Sequence, residues 1–163
     1  LSAFAVVRIR GTVGVPRKIA DTLAMLRLHK RYHCVIVPDT KSYRGMLQKA
    51  KDWITWGEVD PEVVEKLLLV RGRTVGDGRV DDEFVRKHTA YGSVRELAEA
   101  LARGEVKLSD IPNLKPVFRL HPPIGGLRSM RKSFAEGGDL GYRGRKINEL
   151  ILRMLGPGFW GGE

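Results

Sequence analysis

The stretch Ile19–Val59, IADTLAMLRLHKRYHCVIVPDTKSYRGMLQKAKDWITWGEV, decides the fold. Ile19, Leu23 and Leu26 recur at i, i+4 and i+7, a spacing that predicts one apolar helix face. The cations His29, Lys30 and Arg31 suit the negative C-terminal end of that helix. Tyr32–Val37 predicts a strand, which Pro38-Asp39-Thr40 breaks. Asp39 or Thr40 can cap a second helix, with Asp39 better explained as a cap than as a general base. That helix turns Tyr43, Met46, Leu47 and Ala50 inward and Lys41, Arg44, Gln48 and Lys51 outward. Trp53–Glu58 predicts a further short strand. Helices with an apolar inner face and a basic outer stripe fit an acidic partner.

Before this stretch, Ala5, Val7 and Ile9 alternate with Val6, Arg8 and Arg10, which predicts a strand over Phe4–Arg10 with one face turning cationic. Gly11–Gly14 is a turn, and Pro16 suits the first position of a helix. The turn is flanked by Arg8, Arg10, Arg17 and Lys18, so a backbone phosphate suits it better than a nucleotide; the Gly-x-Gly-x-x-Gly pattern and the P-loop lysine are missing.

After it, Asp60-Pro61 starts a helix with Val63, Val64, Leu67 and Leu68 inward. Gly72–Gly78 reads as a loop and a segment boundary. Asp81-Asp82-Glu83 opens a short helix; Ser93 and Glu96 form a capping box, and Gly104 closes the helix that follows. Val117–Leu120 is a brief strand. His121–Arg145 is rich in glycine and basic residues and is expected to be a flexible extension that orders on a polyanion. Ile147, Leu150, Ile151 and Met154 make a last amphipathic helix.

The net charge of +10 is unevenly spread. Residues 1–59 carry eleven Lys/Arg against four Asp/Glu, residues 60–113 nine against eleven, and residues 114–163 nine against four. Two basic ends around an acidic middle suggest nucleic acid or an anionic surface. Cys34 is the only cysteine, set in an apolar run, so a buried reduced thiol in a reducing cytoplasm is expected. No run reaches the ~20 apolar residues of a membrane span, and the opening residues do not resemble a secretion signal. The four histidines lack zinc spacing, and no nucleophile signature or carboxylate pair stands out, so neither metal nor cofactor is expected. Charge and placement nominate as anion-binding Arg8, Arg10, Arg17, Lys18, Arg27, His29, Lys30, Arg31, Lys41, Arg44, Lys51, Arg119, His121, Arg128, Arg131, Lys132, Arg143, Arg145 and Lys146.

The stretches IRG, TLAMLRLHKRYHCVIVPDT, VFRLHPP and GGDLG occur in one order along the chain. Together they resemble the family of the thirtieth protein of the large ribosomal subunit, in its long archaeal form, related to eukaryotic large-subunit protein seven. Gly14-Val-Pro16 and the Phe159-Trp160 tail have no match in that pattern. The resemblance implies a structural, non-catalytic constituent that binds large-subunit ribosomal RNA beside neighbouring ribosomal proteins, with no membrane and no small-molecule substrate. It also implies an α+β fold: a βαβαβ core, related to ferredoxin-like folds, with a three-stranded antiparallel sheet in the order three-one-two. A helical insertion and a C-terminal extension would follow. The residue pattern alone favours parallel neighbours, because helical crossovers usually join parallel strands. The expected segments are 1–72 (core and following helix), 73–113 (helical) and 114–163 (basic extension). The rival reading is a ferredoxin-like enzyme or regulatory domain with an anion site at Gly11–Gly14.

Overall fold

The computed structural model describes residues 2–156 and Gly158; Phe159 and Trp160 lie outside the described residues. At its centre is β1 (Ala3–Arg8), whose six residues are all buried. It pairs antiparallel with β2 (His33–Pro38) on one edge and with β3 (Ile54–Glu58) on the other. β2 and β3 therefore run parallel to each other with β1 between them, and α2 (Lys41–Lys49) is the crossover that joins them. The crossover rule thus acts one strand further on than the sequence pattern suggests: sequential neighbours are antiparallel, in the implied order three-one-two.

The three-stranded expectation is corrected in size. Two-residue strands extend both edges, β4 (Phe118–Arg119) antiparallel to β2 and β5 (Gly141–Tyr142) parallel to β3, giving a mixed five-stranded sheet. β4 falls within Val117–Leu120, where the sequence already suggests a brief strand, whereas the two residues of β5 leave no alternation to read.

β1 is apolar on both faces because each covers a separate layer. Phe4 and Val6 join Leu23, Leu26 and Leu28 around α1 (Arg17–Met25), Leu47 and Ala50 from α2 and the end beyond it, and Trp53 and Trp56. Ala3, Ala5, Val7 and Ile9 face the other way, against α3 (Pro61–Lys66), α5 (Val94–Ala102) and α6 (Ile147–Met154). Each fully buried Leu, Ile or Val contributes roughly 1.5–3 kcal/mol. This second cluster takes side chains from all three stretches of the chain, including Val80, Leu97, Phe118 and Leu140. Gly57 has no room for a side chain, since a Cβ would lie 1.7 Å from the Gly144 carbonyl oxygen.

Several local expectations shift. α1 ends at Met25, before His29-Lys30-Arg31, because Arg27 adopts a left-handed φ of 63°. The Arg27 and Leu28 amides then donate to the Ala24 and Leu23 carbonyls, both at 2.9 Å, which is a Schellman closure. Thr40, not Asp39, caps α2, accepting from the Tyr43 amide at 3.2 Å. Asp60 precedes Pro61 but caps nothing; its carboxylate pairs with Arg145. Ser93 caps α5, yet Glu96 accepts from the Gly92 amide, so the box is not reciprocal. A reciprocal box forms at Ser133 and Glu136, on the 3₁₀ turn Phe134–Glu136. α4 (Asp82–His88) is capped by Asp81 as its sequence indicates.

Over His121–Arg145, expected to be a flexible extension, the fold supplies internal partners. Asp139, 1% exposed, accepts from the Ser129 amide at 2.9 Å and from the Arg128 amide. Its other oxygen takes the Arg143 guanidinium at 3.2 Å, and Arg143 donates to Thr55 Oγ1 on β3 at 2.8 Å. The segment is tied to itself and to the sheet by its own side chains. Asp139→Ala would leave the Arg143 charge buried and two amides without their acceptor. We expect a loss of about 3–5 kcal/mol, read as a lower urea midpoint, with faster hydrogen exchange over residues 128–142.

Candidate nucleic-acid interface

The nominated cations separate into three groups once folded. Arg8 and Arg143 are 4% and 6% exposed and are withdrawn from the interface. Arg8 lies on the central strand and spends its fork inside: Nη1 donates to the Leu28 carbonyl at 2.7 Å, Nη2 to Gly11 at 2.9 Å and Nε to Arg10 at 2.9 Å. Burial lowers the pKa of each guanidinium, and Asp139 opposes that for Arg143. No carboxylate pairs with Arg8 among the described residues; the Leu28 carbonyl just past α1 and the Arg10 and Gly11 carbonyls after β1 take its charge.

A second group is held at the surface, with Arg10 partly buried and the others exposed. Arg10 stacks over Trp53 at 4.3 Å, and Arg31 over Tyr32 at 4.7 Å while donating to the Ile9 carbonyl at 2.9 Å. Arg128 lies over Phe134 at 4.8 Å and donates to Gly138 at 2.9 Å. Arg44 forms a two-pronged pair with Asp39, one contact at 2.8 Å, which raises the arginine and holds the carboxyl below its usual range. Lys51 approaches Asp52 at 3.3 Å, and Arg145 pairs with Asp60. Exposed ion pairs of this kind are worth little in water and can reopen toward phosphate.

The third group, Arg17, Lys18, Arg27, His29, Lys30, Lys41, Arg119, His121, Arg131, Lys132 and Lys146, is exposed with no side-chain hydrogen bond among the described residues. The fold joins the two basic ends of the chain. Arg31 reaches the Met130 sulfur at 2.8 Å, and a cavity of about 370 Å³ lies between Arg31, Tyr32, Pro122, Pro123 and Arg128. Arg119 sits opposite His33 in the sheet register. Sequence spacing does not reveal Arg71, Arg73 and Lys115, which line a second cavity with Arg119. Arg71 and Arg73 lie in the acidic middle, where net charge gives no signal, and Lys115 lies at the start of the basic last stretch.

Cys34 is fully buried, and burial pushes its thiol well up, away from the reactive thiolate. Among the described residues no group of three His, Cys, Asp or Glu could hold a metal ion, and no helix is long and apolar enough to cross a membrane.

Fold and surface define a class: a small α+β protein with a split β-α-β core that spreads cations over loops, helix ends and a sheet edge. The family model for ribosomal protein L30p/L7e matches residues 4–54, from β1 through α2 to the first residue of β3. Relatives extend the likeness along the chain. "Large ribosomal subunit protein uL30" of Archaeoglobus fulgidus is 52% identical over 151 residues, covering 93% of this chain and 99% of its own length. The proteins of that name from Methanobrevibacter smithii and Staphylothermus marinus are 53% and 52% identical, again over 93% of this chain and 99% and 98% of theirs. The chain belongs to the ribosomal protein L30p/L7e family.

His33 sits in this cationic setting half-buried, with its Nδ1 buried and unpartnered among the described residues. Burial first, then Arg119, His29, Lys30 and Arg8, lower its pKa from 6.5. The unfolded chain therefore takes up the proton before the folded one does. His33 contributes stability that is present above pH 6.5 and is lost as pH falls through that value toward the lower folded pKa. Melting temperatures between pH 7.5 and 5.5 (about one unit either side of the ordinary value) should fall, and fall less in His33→Gln.

Proposed function

We propose that the chain is a structural constituent of the large ribosomal subunit, as its relatives are named, and binds large-subunit ribosomal RNA through its exposed cations. The observation that carries this is their distribution: exposed Arg and Lys from both ends of the chain lie on several elements of one fold. Such an array neutralises backbone phosphates and reads folded RNA by shape. Rings under Arg10, Arg31 and Arg128 hold those guanidinium groups in fixed positions, which lowers the ordering cost on binding. Neighbouring ribosomal proteins are the fitting partners for exposed apolar side chains such as Val13 and Val75. The place of action is the ribosome in the cytoplasm. Within this reading, residues 1–72 and 114–163 supply most of the RNA contacts, and 73–113 mainly packs.

The family is one of ribosomal proteins, and the chain is not an enzyme.

Two measurements test the proposal. If ~6 phosphates are neutralised, log K for large-subunit ribosomal RNA should fall with log salt with a slope of roughly −4 to −5. A flat response would remove the electrostatic basis. Arg27 supplies the second. α5 closes with the same hydrogen-bond pattern as α1, but there glycine, Gly104 at φ 75°, takes the left-handed position that Arg27 takes after α1. Arg27→Gly should leave stability unchanged or raise it by up to ~1 kcal/mol, while weakening RNA binding.

A further inference from the structure

Arg71, Arg73, Lys115 and Arg119 line one cavity of about 210 Å³, together with Val117 and a single carboxylate, Asp77. We propose that this niche takes one backbone phosphate of the RNA, between two arginines of the acidic middle and two cations of the basic last stretch. The inference rests on the RNA-binding reading and adds a contact that the charge distribution along the sequence does not show.

The topology builds the niche. Arg71 ends the π-helical turn Leu67–Arg71 that continues α3, and Arg73 follows at once. Lys115 and Arg119 come from the strand region more than forty residues later. The two are brought together by backbone pairing: the Lys115 amide donates to the Arg73 carbonyl at 2.9 Å, and Thr74 bridges Leu114. Arg119 then projects from the edge strand β4 into the same space.

The arginines are fixed from behind. Arg71 donates through Nε and Nη2 to the Leu155 carbonyl, at 3.1 and 2.6 Å. Arg73 donates through Nη1 to the Val70 and Gly72 carbonyls, at 3.2 and 2.7 Å. Each guanidinium has five N–H donors in a rigid fork, so each keeps donors beyond those used to anchor it. Lys115 pairs with Asp77, while Arg119 makes no side-chain hydrogen bond among the described residues. Lys115, Arg119 and Arg73 all act to hold the Asp77 carboxyl below its usual range, Lys115 most strongly. One carboxylate is thus shared among four cations in one concavity. A phosphate restores the balance and meets the forks in the geometry they suit.

The test uses the full chain and large-subunit ribosomal RNA, with affinity followed across a salt series. Arg119→Gln and the double variant Lys115→Gln/Arg119→Gln are compared with the wild type. A control, Lys66→Gln/Lys87→Gln, removes two exposed cations from outside the niche. Arg71 is left in place because it holds the Leu155 carbonyl. Loss of one phosphate contact should make the salt slope shallower by about 0.7–0.9 in the niche variants, with melting temperature unchanged for Arg119→Gln and no change of slope in the control. Equal slopes in wild type and niche variants, or an equal loss in the control, would overturn the niche while leaving RNA binding intact. Wild-type binding that ignores salt would instead overturn the reading beneath it. Inorganic phosphate, added alone, separates the two sources of the ligand. If it raises the wild-type but not the variant melting temperature while the RNA slopes agree, the niche holds free phosphate and the RNA assignment fails.

Discussion

Everything in this fold hangs on the double desolvation of β1. Its side chains are buried on both faces, and its backbone is paired along both edges. A strand so placed has no route to water for its amides and carbonyls, so both neighbours must be present for it to be stable. That demand fixes the chain order around it: β2 and β3 must flank it, and α1 and α2 must roof one face while α3, α5 and α6 roof the other. The two apolar layers lie on opposite faces of this strand and of its neighbour β2, which sends Cys34 and Ile36 to one and Val35 and Val37 to the other.

The same constraint decides what becomes of the basic residues. Arg8 leaves β1 at its end and lies under the turn that closes α1. Its charge is taken up by backbone carbonyls, and it thereby holds the end of α1 against the turn after β1. Arg143 is buried beside the edge strand β5, where it joins the Asp139 carboxylate to Thr55 on β3. These two arginines tie elements together beneath the surface without belonging to it. The outer cations are positioned by what the inner ones hold, which is how a chain with long, flexible side chains presents charge in a defined pattern.

The last third of the chain follows the same logic. Asp139 collects amides from the preceding loop and the Arg143 fork, so residues that would otherwise need water find partners in one buried carboxylate. β5 then adds to the edge of β3, and Gly57 allows the Gly144 carbonyl to approach where a side chain would block it. Asn148 completes the seam, accepting from the Asp60 amide at 2.8 Å and donating to the Glu58 carbonyl at 3.0 Å. The C-terminal helix is thereby fastened to the end of β3, and its apolar face closes the core.

What the sequence determined by itself was the periodic part. The i, i+4 spacing of Ile19 and Leu23 and of Tyr43 and Leu47, the alternation through Val7, and the apolar run at Cys34 each carry a signal within a few residues, because local geometry sets them. The quoted stretches also carried the family resemblance, which supplied the antiparallel order that the pattern misjudged. Strand direction depends on which edges meet across the sheet, and no local period records that. Tertiary structure alone decided which arginines are inside. Arg8 and Arg10 look alike in the sequence, two positions apart on one strand, yet one is enclosed by carbonyls and the other stacks on Trp53. It also decided that His121–Arg145 is held together, since Asp139 finds Ser129, Arg143 and, through it, Thr55 only after the chain has folded back. The gathering of Arg71 and Arg73 with Lys115 and Arg119 belongs to the same kind: it needs a backbone pairing between residues far apart in the chain, and charge counted along the sequence averages it away.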